Sequence, residues 1–215
     1  MSCQTPRVSF IISHMDTTKG ICYIIGAGEK CALTFVKTAA DIVIAADGGL
    51  AYCREAGIEP DIIIGDFDSF GSVPDGKEVI RLNPIKDVTD TFAALEEGLK
   101  RHFSEFRLYC CTGGRLSHTV ANIAALRYLV SKGARAKLIS DGMTAEICKD
   151  RAEAEGCRYF SLFPCGESAD VIIKNAAYPG EFTLDCRSSL GASNAPRGKA
   201  EITVVRGEVL VIIEF

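Results

Sequence analysis

Four apolar runs in this chain end in polar residues of the kind that hold phosphate and divalent metal. They read IVIAADGG (42–49), DIIIGDFDS (61–69), EVIRLNPIKDVTD (78–90) and FRLYCCTGGRLSH (106–118). If these runs are parallel strands, their C-terminal ends line one crevice, the place where open α/β sheets bind ligands. Asp47, Asp66, Asp68, Asp87 and Asp90, together with Lys86 and Arg115, then converge on one site. Mg²⁺ prefers a few carboxylates plus substrate phosphate oxygens, and cationic side chains hold the phosphate charge that remains. The expected ligand is a metal-chelated polyphosphate.

Each motif also has a plainer reading. In GDFDS, Asp66 and Asp68 share one side if the chain stays extended, which lets them share an ion. A lone pair of this kind is more readily a solvated turn, and the other acidic strand ends tip the balance toward metal. In KDVTD, Asp87 or Thr89 is a natural helix N-cap, and an acid in the first turn suits the helix dipole. Capping does not call for Lys86, and Asp90 is a candidate third metal ligand. In TGGRLSH, Gly113 and Gly114 permit close backbone approach, and Ser117 is expected to cap a helix whose free N–H groups attract phosphate. Arg115 offers a bidentate phosphate contact, and His118 is a further candidate. Asp47 of ADGG stands at a strand end in the same way. GAG (26–28) is not a full GxGxxG, and GxxxxGK[ST] is absent, so neither a standard dinucleotide fingerprint nor a P-loop is supported.

The elements that must position these residues follow from the apolar pattern. Strands are expected at 21–25, 42–46, 61–65, 78–82, 106–111 and 136–140, as near-continuous Ile/Val/Ala runs covered on both faces. Helices are expected near 29–39, 49–57, 89–103 and 117–132; Phe92, Leu95, Leu99 and Phe103 form a helical stripe. This alternation predicts an α/β fold, a mostly parallel sheet with flanking helices over residues 21–142. Residues 143–215 read instead as short strands separated by Gly, Pro and Asn turns, a smaller all-β domain with a closing hairpin about Arg206-Gly207. Residues 1–20 fit neither pattern and read as an extension, in which Met15 is an alternative start.

Composition narrows the class. At 215 residues with 47% hydrophobic content the chain is long and apolar enough for a real core. A net charge of −4 provides no general field for nucleic acid, and no apolar run approaches the ~20 residues that span a bilayer. The 10 cysteines show no CxxC pair and no zinc-like spacing with histidine, so free thiols in a reducing cytoplasm are expected.

With these residues in hand, the chain resembles the thiamine pyrophosphokinase family. The resemblance covers 21–215 and rests on the ordered series DGG, GDFDS, KDVTD and GGRLSH, followed by SLGASN (189–194). It implies an N-terminal α/β domain, a C-terminal β-sandwich for thiamine binding and dimerisation, and a homodimer with shared active sites. It also implies Mg²⁺-dependent transfer of the diphosphate of ATP to thiamine, with release of AMP. Asp66, Asp68 and Asp90 match the metal carboxylates. Asp47, Lys86, Asp87, Thr89, Gly113, Gly114 and Arg115 match the ATP site, and Ser193 and Asn194 the thiamine-contacting turn. One residue departs from the pattern: Ser117 stands where the family usually has Asp, retaining a capping group without its charge. With no tryptophan present, rings stacked on thiamine must be Tyr or Phe. A pyrophosphokinase for another hydroxyalkyl heterocycle such as a pterin, or a catalytically weak nucleotide- or thiamine-binding regulator, would share the ATP half. SLGASN favours thiamine over the first, and the intact carboxylates speak against the second.

Overall fold

A computed structural model describes residues 20–67, 75–83 and 88–215. Asp68, Lys86, Asp87 and residues 1–19 of the N-terminal extension lie outside the described residues. Among those described, no helix is long and apolar enough to cross a membrane.

Six strands form the parallel part of a nine-stranded sheet: β1 (Cys22–Ile25), β2 (Ile42–Ala46), β3 (Ile62–Gly65), β4 (Val79–Arg81), β5 (Glu105–Tyr109) and β6 (Arg135–Ser140). Their order is β4-β3-β2-β1-β5-β6, so the chain walks outward from β1 in one direction and then restarts at β5 on its other side. Every residue of β1, β2 and β3 is buried, as the unbroken apolar runs require. Alternate residues feed two cores. Ile24, Ile44, Ile64, Phe106 and Leu108 pack under α2 (Asp90–Lys100) and α3 (Leu116–Ser131). Tyr23, Ile25, Val43 and Ile63 pack under Leu50 and Cys53 of α1 (Gly49–Glu55).

The helix expected near 29–39 is absent. Residues 30–38 run without helical turns, with Cys31, Leu33 and Phe35 packed toward the core and Ala32, Thr34 and Val36 exposed. That is a period of two, and the β-branched and aromatic run Thr34-Phe35-Val36 disfavours helix. Phe35 stacks on Tyr23 with ring centroids 3.9 Å apart, so this segment covers the sheet as a helix would.

Beyond β6 the same sheet continues antiparallel through β7 (Met143–Cys148), β13 (Val209–Glu214) and β9 (Tyr159–Pro164). A second, four-stranded sheet of order β11-β10-β12-β8 is built from β8 (Arg151–Ala154), β10 (Ser168–Ala176), β11 (Gly180–Asp185) and β12 (Pro196–Arg206). Phe160, Leu162, Val171, Ile173, Leu184 and Ile202 form the core between the sheets. The expected hairpin at Arg206-Gly207 does not form, because β12 and β13 belong to different sheets. The reason lies in β13: Val209 and Val211 belong to the sandwich core, whereas Leu210 and Ile212 belong to the helix-covered core. A strand apolar on both faces is satisfied in the middle of a sheet between two cores, and an exposed hairpin would leave one face bare.

Candidate active site at the strand ends

The order reversal between β1 and β5 is the topological switch point, where a crevice opens beyond the strand ends. Three strands leave the sheet there through left-handed residues: Asp47 after β2 (φ 48°), Phe67 after β3 (φ 61°) and Cys110 after β5 (φ 53°). Such conformations cost energy outside glycine and concentrate at functional sites. At β2 the backbone turn brings Gly49 onto the Ile25 carbonyl so closely that a Cβ would collide with it. Asp47 is anchored by its N–H, which donates to the Ile64 carbonyl at 2.8 Å, and one of its carboxylate oxygens, Oδ1, is buried. At Phe67, the last described residue of this stretch, the backbone is left-handed rather than extended.

A cleft of about 340 Å³ lies at this edge. Asp47 contributes from just after β2, Thr89 and Asp90 from the start of α2, Gly113, Gly114 and Arg115 from the turn between β5 and α3, and His118 from the first turn of α3. Seven residues expected from sequence are thus gathered at one place. Thr89 is the N-cap of α2, its Oγ1 accepting from the Phe92 N–H at 3.2 Å, and this fixes Asp90 in the first turn. Gly113 and Gly114 take φ 72° and 59°, values that suit glycine. Asp66 follows the neighbouring strand β3 and is not among the cleft's lining residues. Among the described residues no group of three His, Cys, Asp or Glu side chains is arranged to hold a metal. The expected trio includes Asp68, outside the described residues.

Ser117 is not the cap of α3. Arg115 occupies the N-cap position without a side-chain capping bond, and Ser117 sits exposed inside the first turn, which holds no acidic residue. Two contributions escaped the sequence reading. Gly28 lines the cleft, and its N–H donates to the Cys110 carbonyl at 2.7 Å. Asn122, buried, also lines it and donates Nδ2–H to the Cys111 carbonyl at 2.8 Å. The signal for Asn122 was its spacing, four residues after His118 and therefore on the same helix face. The floor is uncharged on the thiol side, where burial pushes Cys111 up to about 12.

A second cavity of about 420 Å³ lies in the sandwich, with Ile173, Phe182 and Leu184 as apolar lining, Tyr178 at 69% exposure, and the 188–192 turn with Asn194. Asn194 is engaged by the backbone. Its Oδ1 accepts from the Tyr178 and Ala195 N–H groups, both at 3.0 Å, and its Nδ2 donates to the Tyr178 carbonyl at 2.9 Å. Ser193 takes φ 55° and donates its N–H to Ser161 Oγ at 2.9 Å; it is not among the cavity's lining residues. Of the expected pair, only Asn194 lines the cavity.

No curated protein sequence matches the chain. Solved structures share its fold. Thiamine pyrophosphokinase from Bacillus subtilis superposes with a TM-score of 0.81 at 24% identity, over 91% of this chain and 99% of that one. The enzyme of Geobacillus thermodenitrificans gives 0.78 at 23%, over 91% and 98%. The yeast enzyme gives 0.67 at 15%, over 94% and 88%. Residues 33–138, which hold Asp47, Asp66, Asp90 and Arg115, match the family model "Thiamin pyrophosphokinase, catalytic domain". Residues 33–138 are thus a catalytic domain of the thiamin pyrophosphokinase family.

Proposed function

We propose that the protein transfers the diphosphate of ATP to the hydroxyethyl group of thiamine, giving thiamine diphosphate and AMP. The observation that carries this reading is the one cleft at the switch point that collects Asp47, Asp90, the Gly113-Gly114 turn, Arg115 and His118. Transfer of this kind asks a protein mainly for positioning and charge neutralisation. The N–H groups at the start of α3, uncapped by any side chain, suit the phosphates, and Arg115 adds a planar donor beside them. Lys86 is the second cation of this reading, and Asp87 is assigned to the same ATP site as Thr89, which lines the cleft. Asp66, Asp68 and Asp90 supply the hard oxygen donors that fit Mg²⁺, which when bound neutralises charge on the triphosphate. A carboxylate of this group, Asp90 or Asp66, accepts the proton of the attacking hydroxyl.

Thiamine itself is assigned to the sandwich cavity, whose apolar lining and Tyr178 and Phe182 rings suit a flat heterocycle. The cleft and the cavity share no lining residue. We therefore read the working site as drawn from two chains of a homodimer. The test is AMP release from ATP and Mg²⁺ with thiamine, run beside a pterin alcohol. AMP is expected with thiamine alone, and Asp66→Asn is expected to abolish it while circular dichroism stays unchanged. AMP from the pterin alcohol alone, or from neither, overturns the assignment; near-wild-type turnover by Asp66→Asn removes the metal role.

A further inference from the structure

Most of the buried cysteines act as small apolar side chains, but two face each other. Cys31, in the extended segment after β1, and Cys110, at the end of β5, place their Sγ atoms 3.4 Å apart. Each sulfur also receives the other residue's backbone N–H, Cys110 N at 3.3 Å from Cys31 Sγ and Cys31 N at 3.4 Å from Cys110 Sγ. These contacts join residues 79 apart in sequence and hold the thiols in register. A disulfide bond is about 2.05 Å long, so the sulfurs need to close by only roughly 1.4 Å. Cys110, fully buried, borders the cleft, and Cys31, 6% exposed, is the thiol of the pair that solvent touches.

We propose that Cys31 and Cys110 are a redox-active dithiol in the wall of the cleft, which hydrogen peroxide converts to an intramolecular disulfide. The Cys31 thiolate attacks one peroxide oxygen and the O–O bond breaks. The departing hydroxide takes up the proton Cys31 had released and becomes water, leaving Cys31 as a sulfenic acid. Cys110 Sγ then attacks the Cys31 sulfur, the S–O bond breaks, and the hydroxyl leaves with the Cys110 proton as a second water. Two thiols lose two electrons and one peroxide is reduced to two waters. The roles are distinguished electrostatically. The hydrogen bond from Cys110 holds the Cys31 thiol down to about 7, whereas Cys110 itself is held well above the ordinary thiol range by the same bond and by burial. Buried Cys53 and Cys111, by contrast, are pushed up to about 11 and about 12 by burial.

Closing the bond pulls on the wall of the cleft. The Cys110 carbonyl accepts from Gly28 N–H at 2.7 Å, and Glu29 N–H donates to the Thr112 carbonyl at 2.7 Å, so any shift passes to the turn carrying Gly113 and Arg115. Peroxide treatment of the full chain, alkylation of remaining thiols and peptide mapping are expected to recover a Cys31–Cys110 crosslinked peptide that dithiothreitol releases. The dissociation constant for ATP, the one readout that rests on the proposed function, is expected to rise severalfold on oxidation and recover on reduction. Cys31→Ser is expected to bind ATP as the reduced protein does and to ignore peroxide. Oxidation confined to exposed Cys186, a crosslink between other cysteines, or a Cys31→Ser chain that responds like wild type overturns the dithiol. A crosslink that leaves ATP affinity unmoved overturns its coupling to the cleft.

Discussion

Asn194 lines the sandwich cavity, but its side-chain amide is turned to the backbone of a neighbour. Its amide is buried and bonded on both sides to the Tyr178 backbone, so its removal frees the ring that borders the cavity. Leaving those backbone groups unpaired costs about 1–3 kcal/mol. Asn194→Ala and Tyr178→Ala are each expected to raise the KM for thiamine with little change in the KM for ATP. The double variant is expected to be no worse than the more damaging single one, because residues acting through each other are not additive. Additive losses would mean that Asn194 touches the substrate directly. Ser117 makes the opposite case. Lying inside the first turn of α3 and exposed, it caps nothing, so Ser117→Ala is expected to change urea stability by no more than ~0.5 kcal/mol. A loss of about 1 kcal/mol would restore the cap. The charged residues of the cleft were legible in the sequence because parallel strands bring their ends together whatever the detail of packing. The bonds of Asn194 were not, since they depend on where a residue 16 positions away returns in three dimensions.

Among the elements, α2 couples local sequence to the site most directly. Thr89 satisfies the Phe92 N–H and thereby holds Asp90 at the cleft, so in the proposed reaction one hydroxyl would serve both helix and chemistry. Thr89→Ala is expected to cost about 1 kcal/mol in urea unfolding and to raise the Mg²⁺ concentration needed for half-maximal rate. Thr89→Ser is expected to recover both, and an unchanged Mg²⁺ requirement in Thr89→Ala would detach the cap from the site. The fully buried strands were readable from their unbroken apolar runs, and α2 from its stripe. The segment 30–38 was misread because its Ala and Lys content suits a helix, while the contact that decides it, Phe35 on Tyr23, is tertiary. Arg206-Gly207 carries a good turn signal, and the turn is there. Which sheet the chain enters next depends on β13 serving two cores, a property of the assembled sheets.

At the scale of the whole molecule, one nine-stranded sheet runs from the cleft-bearing strands into the sandwich, so the two halves share β13 as common core. The cavity nevertheless keeps an apolar rim in solvent, with Tyr178 69% and Leu190 47% exposed, and its lining is disjoint from that of the cleft. An exposed apolar rim marks a surface suited to association, and self-association of soluble proteins most often takes a two-fold dimer. If each site takes its cleft from one chain and its cavity from the partner, defects in the two halves complement each other. Asp90→Asn chains and Tyr178→Ala chains, each impaired alone, are therefore expected to regain activity on mixing and reassembly. Random pairing makes half the dimers mixed, and each mixed dimer holds one site with both halves intact, so about a quarter of wild-type activity is the ceiling. Size-exclusion chromatography with light scattering should show the dimer under the same conditions. A mixture no more active than the sum of its parts, or a fully active monomer, would put cleft and cavity to work within a single chain.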